Sequence, residues 1–243
     1  MFARPQSVDM VIEQARRDAE ERMDNFLLPA RAQGIANEIL VSQGDIWEGL
    51  LEMVKERNID LIAVGTTGRA GIQKLLLGSV AEEIIREAPC PVLTVGPVGS
   101  GQAPKIKRVL YATDFSAASL GAAPHAFSLS RDFQSQLTLL HVIEQSGAAA
   151  WADEKLAIAR LRQLVEPHWD LACEPQLLAR KGRASDSIVL VAAESAADLI
   201  VIGVREGGGW PRATTHFGST AHKVVSQAPC PVLTIRGQSK EAA

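Results

Sequence analysis

The residues best suited to chemistry form a glycine pattern. Gly65-Thr66-Thr67-Gly68 is followed by nine residues and then by Gly78-Ser79. Gly65 and Gly68 leave no side chain where a strand end would meet a ligand. Gly78-Ser79 opens a helical stretch, whose first N–H groups are unpaired and whose dipole favours an anion. The Ser79 hydroxyl could cap that helix or donate to a phosphate oxygen. One exposed anion contact at a helix start contributes only about 0.3–1 kcal/mol, so useful affinity needs several donors converging. The spacing equally fits a glycine-rich turn before a capped helix. No Walker A loop and no paired carboxylates with a base are present.

The elements that must position this loop occur twice. Ala88-Pro89-Cys90-Pro91-Val92-Leu93-Thr94-Val95 returns 140 residues later as Ala228-Pro229-Cys230-Pro231-Val232-Leu233-Thr234-Ile235. Asp60-Leu61-Ile62 and Gly65 return 138 residues later as Asp198-Leu199-Ile200 and Gly203, and Gly44 returns as Gly182. A period this long marks duplicated domains rather than a solenoid. The second copy predicts strands near 108–113, 137–143, 172–179, 198–203 and 231–235. Helices are expected over 117–132, 152–166, 185–196 and 219–227. Continuous apolar strands alternating with amphipathic helices mean an α/β domain with a parallel sheet covered on both faces. The first copy begins with a helix carrying Val8, Ile12, Ala15, Ala19, Met23 and Phe26. Strand 39–41, helix 46–57, strand 60–64, helix 79–87 and strand 91–95 follow. Its first two strands and first helix are missing. The expected division is a first domain at 1–96, a Gly/Pro-rich linker at 97–105 and a second domain at 106–238.

Composition narrows the classes. The chain has 243 residues, a net charge of −3 and 47% apolar residues. No apolar run approaches a membrane span, no export signal opens the chain and no basic patch invites nucleic acid. A cytoplasmic location is expected. Three cysteines, Cys90, Cys173 and Cys230, are too few for a disulfide scaffold and read as reduced thiols. The five histidines lack metal-ligand spacing. His141 falls mid-strand and reads as a packed core residue, and His222 reads as part of a solvated helix face.

With its flanking Asp-Leu-Ile-x-Val-Gly and Pro-Cys-Pro-Val-Leu-Thr-Val segments, the loop resembles that of the universal stress protein family. Tyr111-Ala112-Thr113-Asp114-Phe115-Ser116 and Leu139-Leu140-His141-Val142 resemble the family's first and second strands. The resemblance covers nearly the whole chain in a tandem form. It implies two open parallel sheets of the adenine nucleotide alpha hydrolase-like, Rossmann-like type, strand order 3-2-1-4-5, with ligand at the strand 1/strand 4 switch point. It further implies ATP, with or without Mg2+, as ligand in a regulatory stress-response role rather than a catalytic one. The phosphate loop would be Gly65, Gly68, Gly78, Ser79 and Val80. In the second copy Asp114 and Val142 would hold the adenosine, with Gly203, Gly218 and Ser219 as the loop. The fifth strands of the two copies would meet antiparallel, as an intrachain pseudo-dimer or a homodimer.

The second copy departs from the pattern. It has Gly203-Val204-Arg205-Glu206, and eleven residues separate Glu206 from Gly218. A carboxylate near phosphates repels them, so this second site is expected to be degenerate and ATP is expected in the first domain. That domain, however, lacks the segment that would hold the base. The chain is expected to be completed by upstream sequence or by another chain. The alternative is an interaction module of the same fold that binds no nucleotide.

Overall fold

The computed structural model describes residues 6–65, 77–96, 105–144, 150–168, 170–204 and 219–237. Gly68, Glu206 and Gly218, together with most of the 97–105 linker, lie outside the described residues. The chain divides into two compact units, Met1–Glu52 and Met53–Ala243, with the boundary inside helix α2.

The first unit contains α1 (Gln6–Ala32) and the start of α2 (Ile46–Glu56). Three ion pairs support α1, namely Arg16–Glu20, Arg17–Glu13 and Arg31–Asp24. Of its apolar side chains, Met10, Phe26 and Leu28 are all more than half exposed, whereas Ile12 and Ala19 are half-buried. Asp45 caps α2, its Oδ1 accepting from the N–H groups of Trp47 and Glu48 at 2.9 and 3.0 Å. The strand expected at 39–41 does not form. A strand of a parallel sheet needs a neighbour for its N–H and C=O groups, and the strand beside which it would lie is missing from this copy.

The second unit holds one seven-stranded sheet. Its strands are β1 (Ile62–Gly65), β2 (Val92–Val95), β3 (Arg108–Ala112), β4 (Gln136–Ile143), β5 (Gln176–Lys181), β6 (Leu199–Val204) and β7 (Val232–Arg236). The order is β1-β2-β7-β6-β3-β4-β5. From β5 to β7 this is the 3-2-1-4-5 order, with every pairing parallel. The one antiparallel pairing is β2 with β7, which aligns Val92 with Thr234, Leu93 with Leu233 and Thr94 with Val232. Val92 and Val232 are each 1% exposed at this seam. The helices are α3 (Ser79–Glu87), α4 (Ala117–Asp132), α5 (Ala150–Val165), α6 (Ala184–Glu194) and α7 (Ser219–Gln227).

The core lies between β3, β4, β6 and the helices α4 and α5. Tyr111, Phe127, Leu137, Leu139, Leu161 and Val201 are almost completely buried. Burying each such aliphatic or aromatic side chain stabilises by about 1.5–3 kcal/mol. Ala118, Ala122, Ala123 and Ala126 line the buried side of α4, and these small residues let it sit close to the sheet. The Tyr111 hydroxyl donates to the carbonyl of Ser119 at 2.7 Å. Gly44 and Gly182, equivalent in the repeat, have φ of +115° and +141°. Only glycine adopts such angles without strain, so the repeat preserves a backbone requirement there.

Candidate functional site

The carboxyl ends of β3 and β6 enclose a cavity of about 380 Å³. Its walls come from β3 (Ala112), the turn after it (Thr113, Asp114, Ser116), β4 (Leu140, Val142), β6 (Ile202, Gly203) and α7 (Thr220, Ala221). β3 and β6 are neighbours whose connections leave in opposite directions, since β3 leads to β4 and β6 to β7. Such a switch point opens a crevice at the strand ends.

The local sequence explains the shape. Thr113 ends the strand, and its Oγ1 is bonded to Ser119 Oγ at 2.9 Å. Ser116 caps α4, its Oγ accepting from Ser119 N–H at 3.3 Å. The Asp114 Oδ1 accepts from Ser116 N–H at 2.9 Å, so this exposed acid shapes the turn as well as facing the cavity. Phe115 between them has φ +60°, rare for a bulky residue.

Sequence reasoning brought Asp114, Val142 and Gly203 to this place, and all three line the cavity. It missed Glu144, Ala184, Ile188 and Thr220. Glu144 stands just past β4, where its Oε1 accepts from the N–H of Ala184 at 2.9 Å and ties β4 to the start of α6. An acid two residues beyond Val142 was the available signal. Ser219 is the first residue of α7.

Gly203 has a reason other than ligand approach. A Cβ there would lie 2.5 Å from the carbonyl carbon of Ala118 and from the Cα of Ser119. The glycine therefore lets the start of α4 pack on β6. Gly65, its counterpart at the end of β1, has nothing within 4 Å of the same position. The first copy has no counterpart of α4, so the space is open.

In the first copy, Gly65, Gly78, Ser79 and Val80 are all exposed. Gly78, not Ser79, is the N-cap of α3, and no side chain caps it. Ser79 is the first helical residue instead. β1 is the edge of the sheet, so no strand walls a base on its far side. The directions of the strands separate the two candidate sites. β1 runs with β2, β3 and β6 run with β7, and β2 opposes β7. The carboxyl end of β1 therefore points to one end of the sheet, and the β3/β6 cavity opens at the other.

Burial, with the charge of Asp114 adding to it, pushes Tyr111 up to about 12. Burial, with Asp198 adding, pushes the Cys230 thiol up to about 12 and raises Cys90 in the same direction, there with Asp60 adding. All three cysteines are free. Cys90 and Cys230 are half-buried rather than fully enclosed, and His222 is half-buried rather than solvated. His141 is also only half-buried, with its Nδ1 at 2.8 Å from the carbonyl of Thr113. Among the described residues no cluster of His, Cys, Asp or Glu could hold a metal ion. No described helix is long and apolar enough to cross a membrane.

An open parallel sheet with a walled crevice at its switch point defines a Rossmann-like α/β class. Within that class, residues 1–96 and 105–236 match the model of the universal stress protein family, and the chain belongs to that family. A universal stress protein of Mycobacterium tuberculosis is 26% identical over 238 residues, covering 93% of this chain and 72% of that one. One from Synechocystis is 32% identical over 142 residues, covering 56% of this chain and 89% of that one. The matched stretch spans about half, 52%, of a 33% identical relative from Methanocaldococcus jannaschii. It spans 60% of a 27% identical one from Bacillus subtilis. The solved structure of a universal stress protein from Archaeoglobus fulgidus superposes with a TM-score of 0.75 at 24% identity, covering 98% of this chain and 85% of that one.

Proposed function

We propose that the chain is a regulatory, stress-response protein that binds one adenine nucleotide, ATP, and performs no chemistry on it. The observation that carries this is the 380 Å³ cavity at the β3/β6 switch point, within the range of about 300–1,000 Å³ typical of small-molecule sites. Val142, with the edges of Ile188 and Ile202, offers apolar surface to a base, and Thr113, Asp114 and Glu144 offer polar groups to a ribose. The start of α7 lies on the same side, with Thr220 and Ala221 in the wall, and unpaired N–H groups of a helix start favour phosphate. The proposal keeps two family domains, 1–96 and 106–238, joined by 97–105, and a cytoplasmic location.

A second reading places ATP, with or without Mg2+, on the first-domain loop of Gly65, Gly68, Gly78, Ser79 and Val80. Open space beside Gly65 and Gly78 and the absence of a side-chain cap on α3 favour it. Because the two places lie at opposite ends of the sheet, one nucleotide cannot use both, and titration calorimetry with ATP and Mg2+ separates them. The cavity reading expects one site per chain, lost in Val142→Trp and kept in Gly78→Val. The reverse pattern moves the nucleotide to the first domain. Absence of any ATP binding by the full chain overturns both and leaves an interaction module, with the β2–β7 seam joining the two copies.

A further inference from the structure

Behind β4 lies a second cavity, of about 370 Å³, lined by Phe115, His141, Ile143, Leu156, Ala157 and Arg160, with Val142 and Glu144 on the edge it shares with the first. The Arg160 guanidinium rests 4.0 Å from the centroid of the Phe115 ring. His141 meets the same ring, centroids 4.6 Å apart and planes tilted by 37°. Two basic side chains thus share one aromatic support.

Each has bonding capacity left over. Arg160 is exposed and makes no ion pair or hydrogen bond to another described residue; its Cζ over the Phe115 ring anchors the guanidinium while its N–H donors are not taken up by a described residue. The His141 Nδ1 lies 2.8 Å from a carbonyl oxygen, which can only accept, so Nδ1 carries the proton. In the neutral ring Nε2 is then a lone-pair acceptor. Phe115 reaches this position only through its φ of +60°, a strained geometry that its neighbours must hold in place. Its N–H donates to Thr113 Oγ1 at 3.0 Å, which helps fix it.

We infer that this cavity is a second ligand site, for a small organic carboxylate that carries a hydroxyl on an apolar body. The planar guanidinium edge matches a carboxylate in two parallel hydrogen bonds. The His141 Nε2 accepts from the hydroxyl. Phe115, Ile143, Leu156 and Ala157 cover the body. Phosphate would satisfy Arg160 but would leave the apolar wall wet. The inference stands apart from the nucleotide reading, since it uses different side chains and a different face of β4.

The test uses the full chain and 4-hydroxyphenylacetate as probe, followed by NMR of the Phe115 and His141 ring signals and by calorimetry. Saturable binding that shifts both rings is expected. Arg160→Ala should weaken it at least tenfold, which is about 1.4 kcal/mol. Arg160→Lys should recover only part, because a lysine cannot form the fork. Phenylacetate, lacking the hydroxyl, should bind more weakly than the probe. No saturable shift in the wild-type chain overturns the site. So does unchanged affinity in Arg160→Ala, or inorganic phosphate competing as well as the probe. The wild-type ring shifts decide the matter even if a variant folds poorly, and ATP binding can be present or absent without altering this outcome.

Discussion

Gly65 and Gly203 occupy equivalent places at the ends of β1 and β6, yet the same substitution should act on them in opposite directions. An alanine Cβ at Gly203 would fall 2.5 Å from both Ala118 C and Ser119 Cα, which are backbone atoms and cannot rotate away. The start of α4 would have to lift from the sheet. That helix supplies Ala122, Ala126 and Phe127 to the core, so the shift would open contacts as well as relieve a clash. Overpacking of this kind costs typically 1–3 kcal/mol, and a backbone collision belongs at the top of that range, about 3 kcal/mol. At Gly65 nothing lies within 4 Å of the new methyl and φ is not positive. Gly65→Ala should therefore be neutral or stabilise by about 0.4–1 kcal/mol, through the unfolded chain alone. The variants should differ by about 3–4 kcal/mol in urea unfolding. At roughly 2–4 °C per kcal/mol for a chain of this size, Gly203→Ala should melt about 6–12 °C below the wild type. Equal effects at the two positions would refute the packing explanation of Gly203. A loss of ATP affinity in Gly65→Ala without loss of stability would support the first-domain loop instead.

Other expectations follow from individual contacts. Val92→Asp buries an unpaired charge at the β2–β7 seam, where Val92 is 1% exposed, and should cost about 4 kcal/mol or more. Limited proteolysis should then release the β1–β2 segment; an intact seam would count against the pairing. Asp198 accepts from the N–H groups of Lys107 and Arg108 at 2.9 Å each and lies 3.5 Å from the Arg108 guanidinium. Asp198→Ala should cost about 2 kcal/mol by urea unfolding, whereas Asp132→Ala, on the surface, should cost almost nothing. Tyr111 and Cys230 are both raised to about 12 in the fold. Their neutral forms are favoured by folding, so their contribution is fully present below their unfolded values near 8.5–10 and is lost as pH rises towards 12. Stability should be flat up to about pH 8 and fall above it, and Tyr111→Phe should flatten that fall; an unchanged alkaline slope would be the contrary result. Maleimide at pH 8 should label exposed Cys173 well before Cys230.

Much of this fold was legible in periodicity and repetition. Helices over 79–87, 117–132 and 219–227 begin and end where the apolar pattern and the Ser or Gly signals place them. The strands end within a few residues of expectation, because continuous apolar runs are dictated by burial on both faces. The exception, 39–41, shows the limit of local reading. Ile39, Leu40 and Val41 have strand composition, but strand formation depends on a neighbour, and no pattern within the segment records that the neighbour is missing. The site was legible only in part. Asp114 and Val142 could be placed because strand ends converge in an open sheet. Thr220 reaches the cavity from a helix distant in sequence from Asp114 and Val142, and the packing role of Gly203 depends on Ala118, 85 positions away.

The antiparallel seam has a consequence for how duplication shaped this chain. Two parallel sheets joined through opposed edge strands form one continuous sheet whose halves face opposite ways. The strand ends of the two halves therefore lie at opposite ends of the sheet. The second half has a strand on each side of its switch point, β4 beyond β3 and β7 beyond β6, and a cavity results. The sheet of the first half ends at β1, and among the described residues nothing lies within 4 Å of a Cβ at Gly65. Among the described residues, no strand stands beyond β1 to form an opposing wall there. For the nucleotide proposed above, the choice of site then turns on whether a base pocket or a phosphate grip contributes more free energy alone. The apolar surface of Val142, Ile188 and Ile202, removed from water by a planar base, favours the pocket.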